Sequence, residues 1–126
     1  MRASPVQALI FDFDGLMFNT EEIFNRSGEE LLRRRGLKMT PELLSVMMGR
    51  RADEAFPLMI DTLGLTESAE DLRAEERAIF QGLLWTHVAP MPGLFQLLAH
   101  LEDRALPKGV ATSSRRAYIE SVDEKR

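Results

Sequence analysis

The chain has 126 residues, of which 44% are apolar, a formal net charge of −4 and no cysteine. This length and composition suit one ordinary domain with a real core, and they exclude disulfides, zinc thiolate sites and thiol catalysis. The basic residues are scattered, with Arg33-Arg34-Arg35 the one tight run, which argues against a nucleic-acid partner. No apolar run reaches the length of a membrane span, and Met1-Arg2-Ala3-Ser4-Pro5 is followed by no signal-like segment, so a soluble, cytoplasmic protein with no membrane partner is expected.

Val6 to Phe11 is short, apolar and partly β-branched, the pattern of a strand buried on both faces of a parallel sheet. It ends in Asp12-Phe13-Asp14-Gly15. Ligands of open α/β sheets bind at the carboxyl ends of strands, so two acids placed there suggest chemistry. In extended geometry Asp12 and Asp14 share a face while Phe13 points into packing, and Gly15 can turn the chain sharply and leave room for a ligand. An acidic turn with no catalytic role is the plainer alternative.

Leu16 to Phe18 leave the sheet, and Asn19-Thr20-Glu21-Glu22 supply capping side chains for a helix that points Ile23, Phe24, Leu31 and Leu32 at a core. Gly36 closes that helix, with the arginine triplet on a solvated face. Thr40-Pro41 starts a second helix through Leu43, Leu44, Val46 and Met47, ending near Gly49. A third, from Ala52, carries Ala55, Phe56, Met59, Ile60 and Leu63, with Pro57 expected to kink it or delay its start, and Gly64-Leu65 ends it. Ser68 with Asp71 forms a plausible capping box for a fourth, presenting Leu72, Ile79, Leu83, Leu84 and Trp85. His87 and His100 have no second ligand-like neighbour.

Ala89-Pro90-Met91-Pro92-Gly93 is a turn-rich linker, and Leu94, Leu97, Leu98 and Leu101 follow with helical spacing. Lys108 to Ala111 reads as a second short strand that delivers Thr112-Ser113-Ser114 at its carboxyl end. Taken alone, that turn could equally be a helix cap. Ala117 to Arg126 can supply one more helical stretch.

Asp12-Phe13-Asp14-Gly15-Leu16 followed by Thr20-Glu21, the Pro90-Met91-Pro92-Gly93 segment, and Thr112-Ser113-Ser114 together resemble the motifs of the haloacid dehalogenase-like hydrolases. The match is to the subgroup containing phosphoglycolate phosphatase and β-phosphoglucomutase. The fold implied is α/β: a partial Rossmann-like core at residues 1–17 and 89–126, with an inserted helical cap at 18–88. By the resemblance Asp12 is a nucleophile that accepts a phosphoryl group, Asp14 is the general acid/base, and Asp12 and Asp14 contribute to a magnesium site. A carboxylate nucleophile beside an anionic phosphate needs such a cation.

The resemblance also gives Thr112, the Ser113 amide and Gly15 to the phosphate. It places Met47-Met48-Gly49-Arg50-Arg51 in a cap loop where Arg50 or Arg51 could hold a substrate phosphate or carboxylate. Asn19 departs from the family's Asp. The implied activity is hydrolysis of a small phosphorylated metabolite, with a phosphosugar mutase as the alternative within the enzyme class. Dehalogenation is disfavoured, because Asp14-Gly15 is the phosphotransferase form.

The family's later lysine and acidic motif have no counterpart after Arg116; Lys125 lacks the surrounding pattern and Lys108 precedes a strand. Two readings of that gap stay open. One is a piece of a longer hydrolase, a truncated gene product completed by a second copy or a complementing chain over its exposed sheet edges, or the ordered part of a cleaved protein. The other is an inactive remnant that serves as an interaction module.

Overall fold

The computed structural model describes residues 4–125, without the side chain of Lys125; Met1 to Ala3, part of the stretch inspected for a signal, and Arg126 lie outside the described residues. The elements run β1 (Leu9–Phe11), α1 (Thr20–Arg33), α2 (Pro41–Met47), α3 (Ala52–Leu63), α4 (Ala69–His87), α5 (Leu94–Asp103), β2 (Lys108–Val110) and α6 (Arg116–Lys125). They form two compact units: Ile23–Thr86, and the segments that precede and follow it. No helix among the described residues is long and apolar enough to cross a membrane.

In the discontinuous unit β1 and β2 pair in parallel, with Leu9 opposite Lys108, Ile10 opposite Gly109 and Phe11 opposite Val110. The Leu9 amide donates to the Pro107 carbonyl and the Ala111 amide to the Phe11 carbonyl. Both strands therefore end at the same level, and the segments that begin at Asp12 and Thr112 leave the sheet side by side. The first strand differs from expectation. It spans only Leu9–Phe11, and it is not buried on both faces, since Ile10 is 74% exposed and Val6 is exposed too. Successive side chains alternate across a strand, so turning Phe11 into the core turns Ile10 outward, and a sheet of two strands leaves that face uncovered. Phe11, Phe13, Phe18, Leu94, Leu101 and Val122 are the buried apolar residues here. Leu97 is exposed.

The outgoing and returning segments are laced together. The Asn19 amide donates to the Ala89 carbonyl and the Met91 amide to the Met17 carbonyl, about an antiparallel bridge between Phe18 and Pro90. Asn19 is not a cap. Its Nδ2 donates to the His87 carbonyl at 3.0 Å and its Oδ1 accepts the Ala89 amide at 2.8 Å. A carboxamide can donate and accept at once, whereas a carboxylate only accepts. Asn19→Asp should therefore lose one hydrogen bond, set a charge against a carbonyl oxygen, and destabilise the chain by about 1 kcal/mol in denaturant titrations.

In the unit Ile23–Thr86 the core is Leu31, Leu32, Leu43, Phe56, Met59, Leu72 and Ile79. Thr40 caps α2 as expected, its Oγ1 accepting the Leu43 amide at 3.1 Å, with Pro41 in the first turn. Helix α3 runs from Ala52 on through Pro57, so Pro57 does not delay its start. The hydrogen bond that proline cannot make would go to the Asp53 carbonyl, in an exposed first turn where water can replace it. Gly64 ends α3 in the left-handed conformation at φ 65°, and Ser68 Oγ accepts the Asp71 amide ahead of α4. Phe24 and Trp85, expected to face a core, are exposed, as is Leu44. Trp85 follows the buried Leu84, and one residue is about 100° of helix turn.

The arginine triplet is not uniformly solvated either. Arg35 lies beyond the end of α1, its side chain 18% exposed, paired to Glu67 through Nε and to Glu75 at 2.8 Å, with Nη1 also donating to the Leu31 carbonyl. These hydrogen bonds hold the Glu67 and Glu75 carboxyls below their ordinary value. Lowered carboxylates stabilise the fold above their unfolded pKa and lose that contribution as pH falls through the folded values. The melting temperature should thus fall as the solution is acidified below pH ~4.5. Arg35→Ala should flatten that decline, which thermal melts across pH 2–6 would show.

Candidate active site

Asp12 follows β1 directly and is exposed; among the described residues its carboxylate accepts one hydrogen bond, from the adjacent Phe13 amide to Oδ1 at 2.9 Å. The chain then turns at Gly15, φ 75°, where the amide donates to the Phe18 carbonyl and to Thr20 Oγ1. A Cβ at Gly15 would sit 2.5 Å from Glu21 Oε2 and 3.1 Å from Glu21 Cβ. The left-handed backbone conformation thus favours glycine, and a Cβ there would also displace the Glu21 side chain. Gly15, assigned to phosphate by the resemblance, has its amide engaged within the chain.

Asp14 is held by three hydroxyl groups from three separate elements. Thr20 Oγ1, at the start of α1, donates to Oδ1 at 2.8 Å; the Tyr118 hydroxyl, from α6, donates to the same oxygen at 2.8 Å; Ser114 Oγ donates to Oδ2 at 2.7 Å. The Tyr118 ring meets Phe13 edge-on, centroids 6.2 Å apart at 84°, and Phe13 meets Phe18 at 5.6 Å. Burial first, and then the Asp14 carboxylate, push the Tyr118 phenol well above its ordinary value.

After β2, Thr112 Oγ1 accepts the Ser114 amide at 3.0 Å, closing a tight turn. The turn leaves Ser113 exposed and aims Ser114 at Asp14. Asp12, Asp14, Thr112 and Ser113 thus belong to one end of the strand pair. Arg50 and Arg51 belong to the Ile23–Thr86 unit: Arg50 Nε donates to the Val46 carbonyl, and Arg51, at the start of α3, pairs with Asp53 at 2.8 Å. Reading the sequence missed Tyr118 and gave Thr20 only a capping role. Ser114 lies in the turn before α6 and Tyr118 in its first turn, and nothing in that spacing says which carboxylate they meet.

Magnesium takes six oxygen ligands in near-octahedral array, usually one or two carboxylates with water and substrate oxygens. Among the described residues no group of three His, Cys, Asp or Glu side chains could hold a metal ion. Asp12 could contribute one ligand. Asp14 has two hydroxyl donors on Oδ1 and one on Oδ2, which leaves Oδ2 the single oxygen with an open acceptor site. The side chains described here therefore do not make a magnesium site by themselves.

Comparison with known proteins places this geometry in context. The chain is 35% identical over 114 residues to (DL)-glycerol-3-phosphatase 1, mitochondrial, of Arabidopsis thaliana, covering 89% of the chain and 38% of the relative. It is 33% identical over 114 residues to (DL)-glycerol-3-phosphatase 2 of the same plant, covering 89% and 47%. The chain thus spans less than half the length of either relative. Among solved structures, a Thermotoga maritima protein assigned as a β-phosphoglucomutase superposes with a TM-score of 0.80 at 20% identity, over 95% of this chain and 56% of that one, a likeness of fold. The two-stranded parallel sheet with its helices is accordingly a partial Rossmann-like core with accompanying helices. The profile of the haloacid dehalogenase-like hydrolases matches residues 9–124, nearly the whole chain, and the chain belongs to that family.

Proposed function

We propose that this chain carries the nucleophile-bearing part of a phosphatase-type hydrolase acting on a small phosphorylated metabolite. The observation that carries the reading is the pairing of an exposed carboxylate, Asp12, at the end of β1 with a second, Asp14, fixed two residues on by three hydroxyl donors. The first is free to attack, and the second is held in place to move protons.

In this reading an Asp12 carboxylate oxygen forms a bond to phosphorus while the bond from phosphorus to the ester oxygen breaks, and Asp14 supplies the proton to that leaving oxygen. Water then attacks the aspartyl phosphate, Asp14 takes its proton, and the phosphorus–Asp12 bond breaks to release inorganic phosphate. The Thr112 hydroxyl and the backbone amide of the exposed Ser113 are the proposed donors to the phosphoryl oxygens. The helical unit acts as the cap, with Arg50 or Arg51 turned from its present local partner to an anionic group of the substrate. A magnesium ion, with Asp12 as one ligand, would offset the repulsion between the carboxylate and the phosphate. Glycerol phosphates are the first substrates to try, because the two plant relatives are glycerol-3-phosphatases.

Release of inorganic phosphate from glycerol 3-phosphate and a panel of sugar phosphates, with magnesium and with a chelator, tests the proposal. Magnesium-dependent release is expected. A folded protein that releases none from any of them, or release indifferent to the chelator, would overturn it.

A further inference from the structure

We propose that Tyr118 is a positioning residue for Asp14, fixing which carboxylate oxygen is presented for proton transfer. This inference rests on the reading of Asp14 as the acid/base. An ionised carboxylate has about four acceptor sites, two on each oxygen. Oδ1 receives Thr20 Oγ1 and the Tyr118 hydroxyl and is filled, while Oδ2 receives Ser114 Oγ and keeps one site. Proton exchange with the substrate is thereby confined to Oδ2.

The three donors differ in how firmly they hold. Serine and threonine hydroxyls swing about a single torsion. The Tyr118 phenol comes from a rigid ring packed edge-on against Phe13, the residue next to Asp14, so its direction is set by aromatic packing as well as by the hydrogen bond. It also comes from α6, a hundred residues along the chain, and so ties the orientation of Asp14 to the docking of that helix. Without the phenol, Oδ1 keeps only Thr20, and the carboxylate can turn so that either oxygen faces the substrate.

Tyr118→Phe keeps the ring and its contact with Phe13 while removing the donor. In the magnesium-dependent phosphatase assay kcat should fall about tenfold with KM within about twofold, because orientation is needed for proton transfer and not for binding. Ser121→Ala, which removes a hydroxyl bonded to the Tyr118 carbonyl on the same helix, should leave kcat unchanged. An active wild type whose Tyr118→Phe variant keeps or raises kcat would overturn the positioning role and leave the phosphatase reading intact.

A wild type without turnover would overturn the phosphatase reading, and the Tyr118 contact then has its own readout. Tyr118 is the chain's sole tyrosine, so the near-ultraviolet difference spectrum between wild type and Asp14→Asn reports on one phenol. Weakening the carboxylate acceptor should move its absorption to shorter wavelength; identical spectra would overturn the contact.

Discussion

Asp12→Asn is expected to lower phosphomonoester turnover by at least about three orders of magnitude while leaving the fold intact. The amide nitrogen and oxygen that replace the carboxylate are poor nucleophiles, and Asp14 is held in place by three hydroxyl donors with one acceptor site left. The structural cost should be small for a reason visible in the geometry. Asp12 is exposed, and its carboxylate accepts one hydrogen bond, from the neighbouring Phe13 amide, which an Asn side-chain oxygen can also accept. Stability within about 0.5 kcal/mol of wild type is therefore expected. Initial rates with saturating substrate, beside a denaturant titration of both proteins, check the two halves of the statement. Retained turnover in a folded variant would remove Asp12 from the mechanism.

Leu72→Ala should destabilise the helical unit by about 3 kcal/mol. Leu72 is fully buried in α4 and packs into the cluster with Leu31, Leu32, Leu43, Phe56, Met59 and Ile79, side chains drawn from four different helices. Removing its branched end forfeits the transfer free energy of the lost carbons and leaves a void that four helices cannot close together without moving their other contacts. A small domain has roughly 5–15 kcal/mol of stability in all, so the loss is a large share. The midpoint of urea unfolding followed by helix circular dichroism should fall with little change in slope. A shift corresponding to less than about 1 kcal/mol would mean that the site relaxes, as a loosely packed cluster does.

Features set by neighbouring residues were the most legible in the sequence. The apolar run into Asp12-Phe13-Asp14-Gly15 gave the strand end, the buried Phe13 and the tight turn. Thr40-Pro41 gave a capped helix start, and Gly64 a left-handed helix stop. Each of these depends on backbone chemistry within a few residues. Features that depend on what lies opposite were not legible. Ile10 has the same composition signal as a buried strand residue, and only the lack of a layer over its face exposes it. Phe24 and Trp85 are large and apolar yet sit a step round their helices from the buried stripe. Asn19 sits beside a helix start and reads as a cap, but its amide ties down the returning segment 70 residues later.

The candidate site divides along the same line. Asp12, Asp14 and the Thr112-Ser113-Ser114 turn come from strand ends that the apolar pattern marks. The hydroxyls that hold Asp14 come from residues 6, 100 and 104 positions away, and Tyr118 lies in a helix of otherwise ordinary composition. The local spacing of Tyr118 and its neighbours in α6 says nothing of a carboxylate beyond β1.

The central claim is that a phosphoryl group is carried on Asp12. Quenching the magnesium-containing protein with acid during turnover, reducing with borohydride and mapping the peptides by mass spectrometry reads this directly, since an aspartyl phosphate is converted to homoserine at the residue that bore it. Homoserine at position 12, absent without substrate, is the predicted result. Turnover with an unmodified Asp12, or phosphate found instead on Thr112, Ser113 or Ser114, would contradict it.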